Sequence, residues 1–527
     1  MTVPPAGISR WVRIGLAAWL LVLLGFAIWT RQPMCREGLW RDDAISVYAS
    51  QAPSLSELLR RNRISDYNPP LFNLGLAGWS RLAGSEESEV KLFALILGLL
   101  NAAGCTLLAY EIGGGVAAAL AAALVINNPL LIEMSTEARP YSLSAFLAVI
   151  SIFVIFRIRK DPRAGFGRFA FLTVLLALLV YSHIAGGVVA GVLLSWGALQ
   201  WLQEPANPFG RRLAASAALA GATFLFWLPT TWRQFRTGIP WEHSLSFSEN
   251  LESLVRRSGD VLPIPGAFEQ SAFLVGMAAL AVIGTLQAGR VIAGLRREGQ
   301  ALLVPAVAGA VVWLVLGLFS SQVRYLIIPA SLGIVVLSAV ASQVFESGWK
   351  ARGANRGAAI VALAGLVAGS FTARADLYEG RSLAASRPKS GVRSLCQSRP
   401  FATDELVVVA PDYLAPALWY YCGRLESIRG FARWDRPVLF DPRDYAELWN
   451  DPASAAGTVA RIEDALRKQG RSRFALVLDE PAGGLPPFYG RQVEKLQAEL
   501  ARKYDARSLG RFQGRVESVE ALVLSPR

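Results

Sequence analysis

Long apolar runs dominate the first 373 residues of the chain. The hydrocarbon core of a bilayer is about 30 Å thick, so an apolar run of about 20 residues can cross it as a helix. Runs that reach or approach this length lie at 12–30, 90–110, 115–132, 141–158, 169–182, 184–202, 213–230, 271–290, 301–320, 325–345 and 357–373. The pattern therefore predicts an α-helical polytopic membrane domain over residues 1–373, with about 11 transmembrane helices.

The polar stretch 31–89 separates the first two predicted spans and carries helix signals of its own. Ser54-Leu55-Ser56-Glu57 is a capping box and opens a short amphipathic helix. Asn68-Pro69-Pro70 then ends one element and starts the next, because each proline fixes its own φ and restricts the residue before it. We expect residues 31–89 to form a first extracytoplasmic loop with helices at the membrane interface.

After residue 374 the apolar runs shrink to the length of strands. Residues 405–410 and 473–479 are typical of buried strands, whereas 455–470 and 489–505 have helical periodicity. This alternation predicts a soluble three-layer α/β domain over residues 374–527.

Composition and charge agree with a membrane protein and exclude a soluble enzyme. Hydrophobic residues make up 53% of the chain and charged residues 18%. The net charge of +13 comes from basic residues scattered over short loops between predicted spans, so membrane topology explains it better than nucleic-acid binding does. The positive-inside rule places those loops in the cytoplasm and places 31–89 and the C-terminal domain outside. We expect a multi-pass protein of the bacterial inner (plasma) membrane.

Cysteine and histidine are sparse. Cys396 and Cys422 both fall in the predicted outside domain, where they could form a disulfide, but Cys35 is predicted outside as well and offers competing pairings. His183 and His243 are the only two histidines, and no Cys/His cluster has zinc spacing. The sequence leaves both the pairing and a metal requirement open.

Carboxylates at one predicted membrane boundary are the main candidates for chemistry. Asp42 and Asp43 follow the first span, and Glu137 follows a later one on the same predicted side. A carboxylate there could accept the proton of a hydroxyl group. The alternative for the aspartates is that they cap a helix beginning at Ala44. Glu137 is a candidate to position the acceptor, to help bind a divalent metal ion or to hold Arg139, and the alternative is an ordinary loop ion pair.

Five short motifs are similar, in order, to those of the GT-C class of integral-membrane glycosyltransferases. They are Arg41-Asp42-Asp43-Ala44, Asn68-Pro69-Pro70-Leu71-Phe72, Ser135-Thr136-Glu137-Ala138-Arg139-Pro140-Tyr141, Tyr181-Ser182-His183 and Arg324-Tyr325. The chain most resembles glycosyltransferase family 39, which includes protein O-mannosyltransferases and the aminoarabinose transferases of bacterial lipid A. The resemblance covers residues 1 to about 345. Asn68 departs from it, since many relatives have histidine there.

The resemblance implies transfer of a monosaccharide, hexosyl or pentosyl, from a polyprenyl-phosphate donor to a hydroxyl of a lipid, glycan or protein acceptor outside the cytoplasm. It implies catalytic roles for Asp42, Asp43 and Glu137, with Asp42 slightly favoured as the general base. Implied substrate-binding residues are Asn68, Arg139, Tyr141, His183, Arg324 and Tyr325. Simpler roles for the arginines and tyrosines are anchoring to lipid headgroups and to the membrane interface. The main rival is a transporter or flippase of a lipid-linked saccharide, and a third hypothesis is a non-catalytic scaffold.

Overall fold

The computed structural model describes residues 10–161, 163–237, 299–319, 323–350, 354–382, 388–398, 401–402, 404–423, 426–432, 454–480 and 487–527, with a few isolated positions between them. Among these residues, the helices of the N-terminal part are α1 (Arg10–Cys35), α2 (Arg41–Ser50), α3 (Leu55–Ser65), α4 (Leu71–Ala83), α5 (Glu87–Asn127), α6 (Pro129–Met134), α7 (Tyr141–Lys160), α8 (Phe166–Ser182), α9 (Ile184–Gln203), α10 (Pro208–Thr223), α11 (Leu228–Thr237), α12 (Gly299–Phe319), α13 (Ile327–Lys350) and α14 (Ala354–Ser382).

Helices long and apolar enough to cross a membrane build this part, so the predicted polytopic helical domain is confirmed. Among the described residues they are Glu87–Asn127, Tyr141–Lys160, Ile184–Gln203 and Arg324–Lys350, and the bent pair Pro208–Phe226 and Leu228–Gln234 is a fifth if it counts as one span. Shorter apolar helices lie at Phe166–Ser182, Leu302–Val315 and Asn355–Phe371. The predicted span 271–290 lies, apart from Leu280, outside the described residues.

Helix α5 reverses its direction at Gly114. Gly114 has φ 75° and ψ −162°, a backbone conformation that glycine adopts at little cost. A Cβ atom added to Gly98 would lie 2.3 Å from Cβ of Ser135, which follows the far end of α5. In a straight helix, Gly98 would lie about 44 Å from Asn127, the last residue of α5. The 41-residue helix is therefore two antiparallel spans, which correspond to the predicted spans 90–110 and 115–132.

The bundle has a basic end. Near the Gly114 turn, Glu111 lies 3.0 Å from Lys160 Nζ and 3.5 Å from Arg157 Nη1, at the C-terminal end of α7. Arg212, just inside the start of α10, donates to the Ala164 carbonyl in the α7–α8 loop. The residues of the candidate site described below lie at the other end of the bundle, near the two termini of α5 and the start of α7. This arrangement agrees with the charge pattern of the sequence.

Helices α2, α3 and α4 form the first loop, and α2 and α4 pack on the start of α5. Ser54 is the N-cap of α3 and its hydroxyl accepts from Glu57 N–H at 3.2 Å, as the capping-box motif predicts. The amphipathic pattern places Leu58 in the interior. A small apolar cluster that includes Leu39, Val47 and Phe72 fixes α2 and α4 against α5.

The C-terminal part is an α/β domain, as predicted. Its described helices are α15 (Gly391–Ser398), α16 (Ala415–Tyr421), α17 (Ser454–Lys468) and α18 (Pro487–Ala501), and its described strands are β1 (Val407–Ala410), β2 (Ile428–Gly430), β3 (Phe474–Asp479), β4 (Tyr504–Phe512) and β5 (Val519–Pro526). The strand order is β2-β1-β3-β5-β4; β1 is parallel to β2 and β3, whereas β5 is antiparallel to β3 and β4. One sheet face packs on α15 and α16 and the other on α17 and α18, which gives three layers.

The face that carries α15 and α16 also covers the first loop. Ala44 of α2 belongs to the apolar cluster on that face. The Tyr421 hydroxyl donates to the Leu39 carbonyl at 3.1 Å and accepts from Leu39 N–H at 2.6 Å. Cys396 and Cys422 form a disulfide between α15 and the end of α16, so the pairing that the sequence left open is present. The C-terminal domain thus contains a disulfide cross-link and packs on the loop that follows the first span.

Candidate active site

The candidate site is built around the first turn of α2. The helix begins at Arg41 with Trp40 as its N-cap, and no side chain caps it. The alternative that the aspartates cap a helix beginning at Ala44 is therefore wrong, although both lie in the first turn of α2. Successive helical residues point about 100° apart, so Asp42 and Asp43 face different neighbours.

Asp43 is fully buried and both of its oxygens are engaged. Oδ2 accepts from Lys91 Nζ at 2.8 Å, and Oδ1 accepts from the Ala138 N–H at 2.7 Å. The carboxylate therefore joins α2, the start of α5 and the loop that carries Glu137. Sequence reasoning missed Lys91, although a lysine so close to an apolar span is a signal for a paired charge.

Asp42 keeps 19% of its side chain exposed and lies between two arginines. Its Oδ2 accepts from Arg324 Nη1 at 2.8 Å, and its Oδ1 lies 3.8 Å from Arg41 Nε. Burial alone would raise the pKa of this carboxyl, but the guanidinium groups of Arg324, Arg139 and Arg41 outweigh burial and hold the pKa below its usual range. Asp42 is therefore ionised at neutral pH and is the accessible member of the pair.

Arg139 is held by a buried polar network. Its guanidinium makes two hydrogen bonds to Asp66, of 3.1 and 3.2 Å, and reaches the Ser46 hydroxyl at 3.1 Å. Asn68 donates to Asp66 Oδ1 from both its backbone and its side-chain nitrogen, at 3.0 Å each. The Asn68 amide thus orients the carboxylate that holds Arg139. Asp66 was not among the residues singled out from the sequence.

Three rings surround the Arg324 end of the site. Tyr141, His183 and Tyr325 lie with ring centroids 5.7 to 6.1 Å apart, and the Arg324 guanidinium is 6.0 Å from the Tyr141 ring and 5.7 Å from the Tyr325 ring. His183 is the N-cap of α9, and its Nδ1 accepts from the Ala185 N–H at 3.1 Å. Burial lowers the pKa of His183 to about 4, so its imidazole is neutral at physiological pH.

The C-terminal domain supplies the remaining charges. Lys389 Nζ donates to Glu137 Oε1 at 2.8 Å, and the second oxygen of this buried glutamate has no hydrogen-bond partner among the described residues. The Trp40 ring lies 5.4 to 5.5 Å from three cations, which are Arg41, Arg324 and Lys389. Sequence reasoning missed Lys389, because nothing local to residues 388–390 shows that they reach the membrane domain, and it did not single out Trp40.

The structure therefore brings together all nine residues singled out from the sequence. Asp42, Arg324, Tyr141, Tyr325 and His183 share one side, while Asp43, Glu137, Arg139 and Asn68 form the supporting network around the first turn of α2. Within the described part of the chain, no group of three or more His, Cys, Asp and Glu side chains could hold a metal ion. His243 lies outside the described residues.

Solved structures with this architecture were found by comparison. The chain is similar to ArnT from Cupriavidus metallidurans bound to undecaprenyl phosphate, with a TM-score of 0.56 and 12% identity over 96% of this chain and 98% of that chain. For the apo state of the same protein the TM-score is 0.57 at 13% identity, with the same coverage. The archaeal oligosaccharyltransferase AglB from Archaeoglobus fulgidus, in complex with an inhibitory peptide and a dolichol-phosphate, has a TM-score of 0.50 and 15% identity over 95% of this chain and 74% of that chain.

ArnT is an aminoarabinose transferase, and both neighbours have the GT-C fold. The chain therefore has the GT-C fold, as the sequence motifs indicate. No protein-family model and no curated protein matches the sequence.

Proposed function

We propose that the protein is a membrane glycosyltransferase that moves a monosaccharide from a polyprenyl-phosphate donor to an acceptor hydroxyl on the extracytoplasmic face. The observation that carries the proposal is the Asp42–Arg324 pair, in which a partly exposed carboxylate lies 2.8 Å from a guanidinium at one end of a GT-C bundle. A base and a phosphate-binding cation are the two groups that this reaction needs side by side.

The pair also offers a way to switch the base on. When the donor phosphate binds Arg324, it competes with Asp42 for the guanidinium. Asp42 then loses the neighbour that most lowers its pKa, and the carboxylate becomes a stronger base when the donor is in place. In the transfer step Asp42 accepts the proton of the acceptor hydroxyl, the hydroxyl oxygen bonds to the anomeric carbon, and the bond from that carbon to the phosphate oxygen breaks. The departing polyprenyl phosphate stays with Arg324.

The other site residues have supporting roles in this proposal. Asp43 positions α2 through Lys91 and Ala138 N–H, because both of its oxygens are already engaged. Tyr141 and Tyr325 line the phosphate end, and His183 packs against both rings. Glu137 has one oxygen without a hydrogen-bond partner in the described part of the chain, and in this proposal that oxygen orients the acceptor. The two neighbours were solved with undecaprenyl phosphate and dolichol-phosphate, which supports a lipid-phosphate donor here.

The Cys396–Cys422 disulfide supports the membrane orientation. Disulfides persist in oxidising compartments such as the bacterial periplasm and are rare in the cytosol. The C-terminal domain that contains this disulfide supplies Lys389 to the site. We therefore place this domain and the site on the periplasmic side of a bacterial inner membrane.

Reconstitution tests the function against the flippase alternative. The protein is placed in liposomes that contain a polyprenyl-phosphate-linked radiolabelled monosaccharide, and a bacterial envelope extract supplies acceptors. A glycosyltransferase moves the label to the acceptor and produces free polyprenyl phosphate. A flippase carries the label across the bilayer still attached to its lipid. Movement of intact donor without release of polyprenyl phosphate would reject the proposal.

A further inference from the structure

A second polar region lies where the sheet of the C-terminal domain meets Arg41. Asp479 ends β3, and Tyr413 follows the neighbouring parallel strand β1. Ligands of α/β sheets commonly bind beyond the carboxyl ends of adjacent parallel strands. The Arg41 guanidinium covers this edge, 4.4 Å from the Tyr413 ring and 4.0 Å from Asp479 Oδ2.

Two buried carboxyl groups, those of Asp479 and Glu517, lie at this edge. Asp479 accepts from the Tyr413 hydroxyl through Oδ2, and Glu517 accepts from the Ser390 hydroxyl through Oε1. Asp479 Oδ1 and Glu517 Oε2 are buried and have no hydrogen-bond partner among the described residues. Buried acceptors without donors are uncommon and costly, by about 1–3 kcal/mol each. Two of them close to Arg41 indicate that a ligand supplies the donors.

The charges of the neighbouring residues indicate what kind of hydrogen-bond donor the ligand supplies. Burial raises the pKa of both carboxyl groups, that of Glu517 to about 7, because Arg41 compensates the cost of burial only in part. A cationic ligand would be repelled by the positive charges of Arg41, which lies close to both carboxyl groups, and of Lys389, whose backbone contacts Glu517. Neutral hydroxyl groups can donate to both free oxygens without adding charge.

Resting on the proposed function, we infer that Asp479 and Glu517 form a subsite for hydroxyl groups of a saccharide acceptor. Asp42 separates this subsite from the phosphate end, because its Oδ2 faces Arg324 and its Oδ1 faces Arg41. A saccharide held by Asp479 and Glu517 therefore approaches Asp42 from the side opposite the donor phosphate. The Arg41 side chain, which covers this edge, is 34% exposed.

Binding measurements on the full-length protein in nanodiscs test this subsite. The probes are a panel of defined, fluorescently labelled oligosaccharides, and separately undecaprenyl phosphate and an undecaprenyl-phosphate-linked monosaccharide. The variants are D479N, which places an N–H donor where Oδ1 accepts, and E517Q. The control is D505N, which alters an exposed carboxylate that pairs with Arg527. Thermal unfolding verifies that each variant is folded.

We expect the best oligosaccharide ligand of the wild type to bind about 10-fold to 100-fold more weakly to D479N and to E517Q, because each variant replaces an acceptor oxygen and leaves a buried sugar hydroxyl without its partner. Its affinity for D505N and the affinity of all variants for both lipids should be unchanged. Unchanged oligosaccharide affinity in the variants, or no oligosaccharide binding by the wild type, would overturn the inference. An equal loss of affinity for the lipid-linked monosaccharide would assign the hydroxyls to the donor and overturn the acceptor assignment. Failure of the proposed function is distinct, since it appears as absence of sugar transfer by the wild type.

Discussion

Glu137 and Lys389 form a buried ion pair that joins the membrane domain to the C-terminal domain, with 2.8 Å between Oε1 and Nζ. The two residues are 252 positions apart in sequence. Lys389 also donates its backbone N–H to the Glu37 carbonyl at 2.7 Å. The segment 388–390 therefore lies against the site and contacts both Glu37 and Glu137. The C-terminal domain is part of the candidate active site.

K389M should lower the stability of the protein by about 3–5 kcal/mol, because it leaves a buried carboxylate without its cation. The double variant K389M/E137Q should recover much of that loss, since the buried group is then neutral. Denaturation of the detergent-solubilised protein measures the free energy of unfolding of both variants. K503M is the control, because Lys503 pairs with Glu463 on an exposed surface and should change little. If K389M were as stable as K503M, the pair would not hold the domains together.

Two glycines provide a matched test of the packing behind Glu137. A Cβ atom at Gly98 would lie 2.3 Å from the Ser135 Cβ and 3.1 Å from its Cα, so G98A must displace the loop that carries Glu137. A Cβ atom at Gly78 in α4 meets nothing within 4 Å. We expect G98A to lose stability and sugar transfer, and G78A to gain up to about 1 kcal/mol from helix propensity. Equal melting temperatures for the two variants would contradict this packing.

The disulfide should contribute to the stability of the C-terminal domain. Its cysteines are separated by 26 positions, and closing a loop of that size corresponds to about 3.5 kcal/mol in the chain-entropy model. The double variant C396S/C422S should therefore melt at a lower temperature than the wild type under oxidising conditions. Under reducing conditions the difference should largely vanish. A difference that survives full reduction of the wild type would point to packing of the sulfur atoms instead.

Glu517 should make stability depend on pH. Burial raises its pKa in the folded protein to about 7, above the ordinary value of 4.5. Between these two values the folded state binds more protons than the unfolded state, so this group's contribution to stability falls as the pH rises from about 4.5 to 7 and is constant above that. E517Q lacks this contribution. The melting temperature of the wild type relative to E517Q should therefore fall as the pH rises from 5 to 7; a constant difference would exclude the raised pKa.

Sequence periodicity was sufficient for most of the fold. The spans at 141–158 and 184–202 agree closely with α7 and α9, and the apolar runs at 405–410 and 473–479 contain β1 and β3. The local pattern of apolar residues predicts these elements, because each helix buries one face and each central strand buries both faces. The start of α2 at Arg41 was missed, since its N-terminus is fixed by tertiary contacts of Asp42 and Asp43 and not by a capping side chain.

The residues of the candidate site also fall into two groups, those that the sequence indicated and those that it did not. Asp42, Glu137, Arg139 and Arg324 stand in recognisable motifs and do converge in the structure. Other residues close to them lie outside these motifs and carry no local signal. Lys389, Asp479 and Glu517 belong to the C-terminal domain, where the sequence resemblance ends, and only the packing of that domain on the first loop brings them to Asp42.

Sugar transfer by D42N is the most direct measurement of the central claim. The variant keeps the size of the side chain and one oxygen for Arg324, but it cannot accept the acceptor's proton. In liposomes with a polyprenyl-phosphate-linked labelled monosaccharide and envelope acceptors, we predict that D42N releases polyprenyl phosphate about 10²- to 10⁴-fold more slowly than the wild type. The control D505N should match the wild type. Transfer by correctly folded D42N at the wild-type rate would contradict the account.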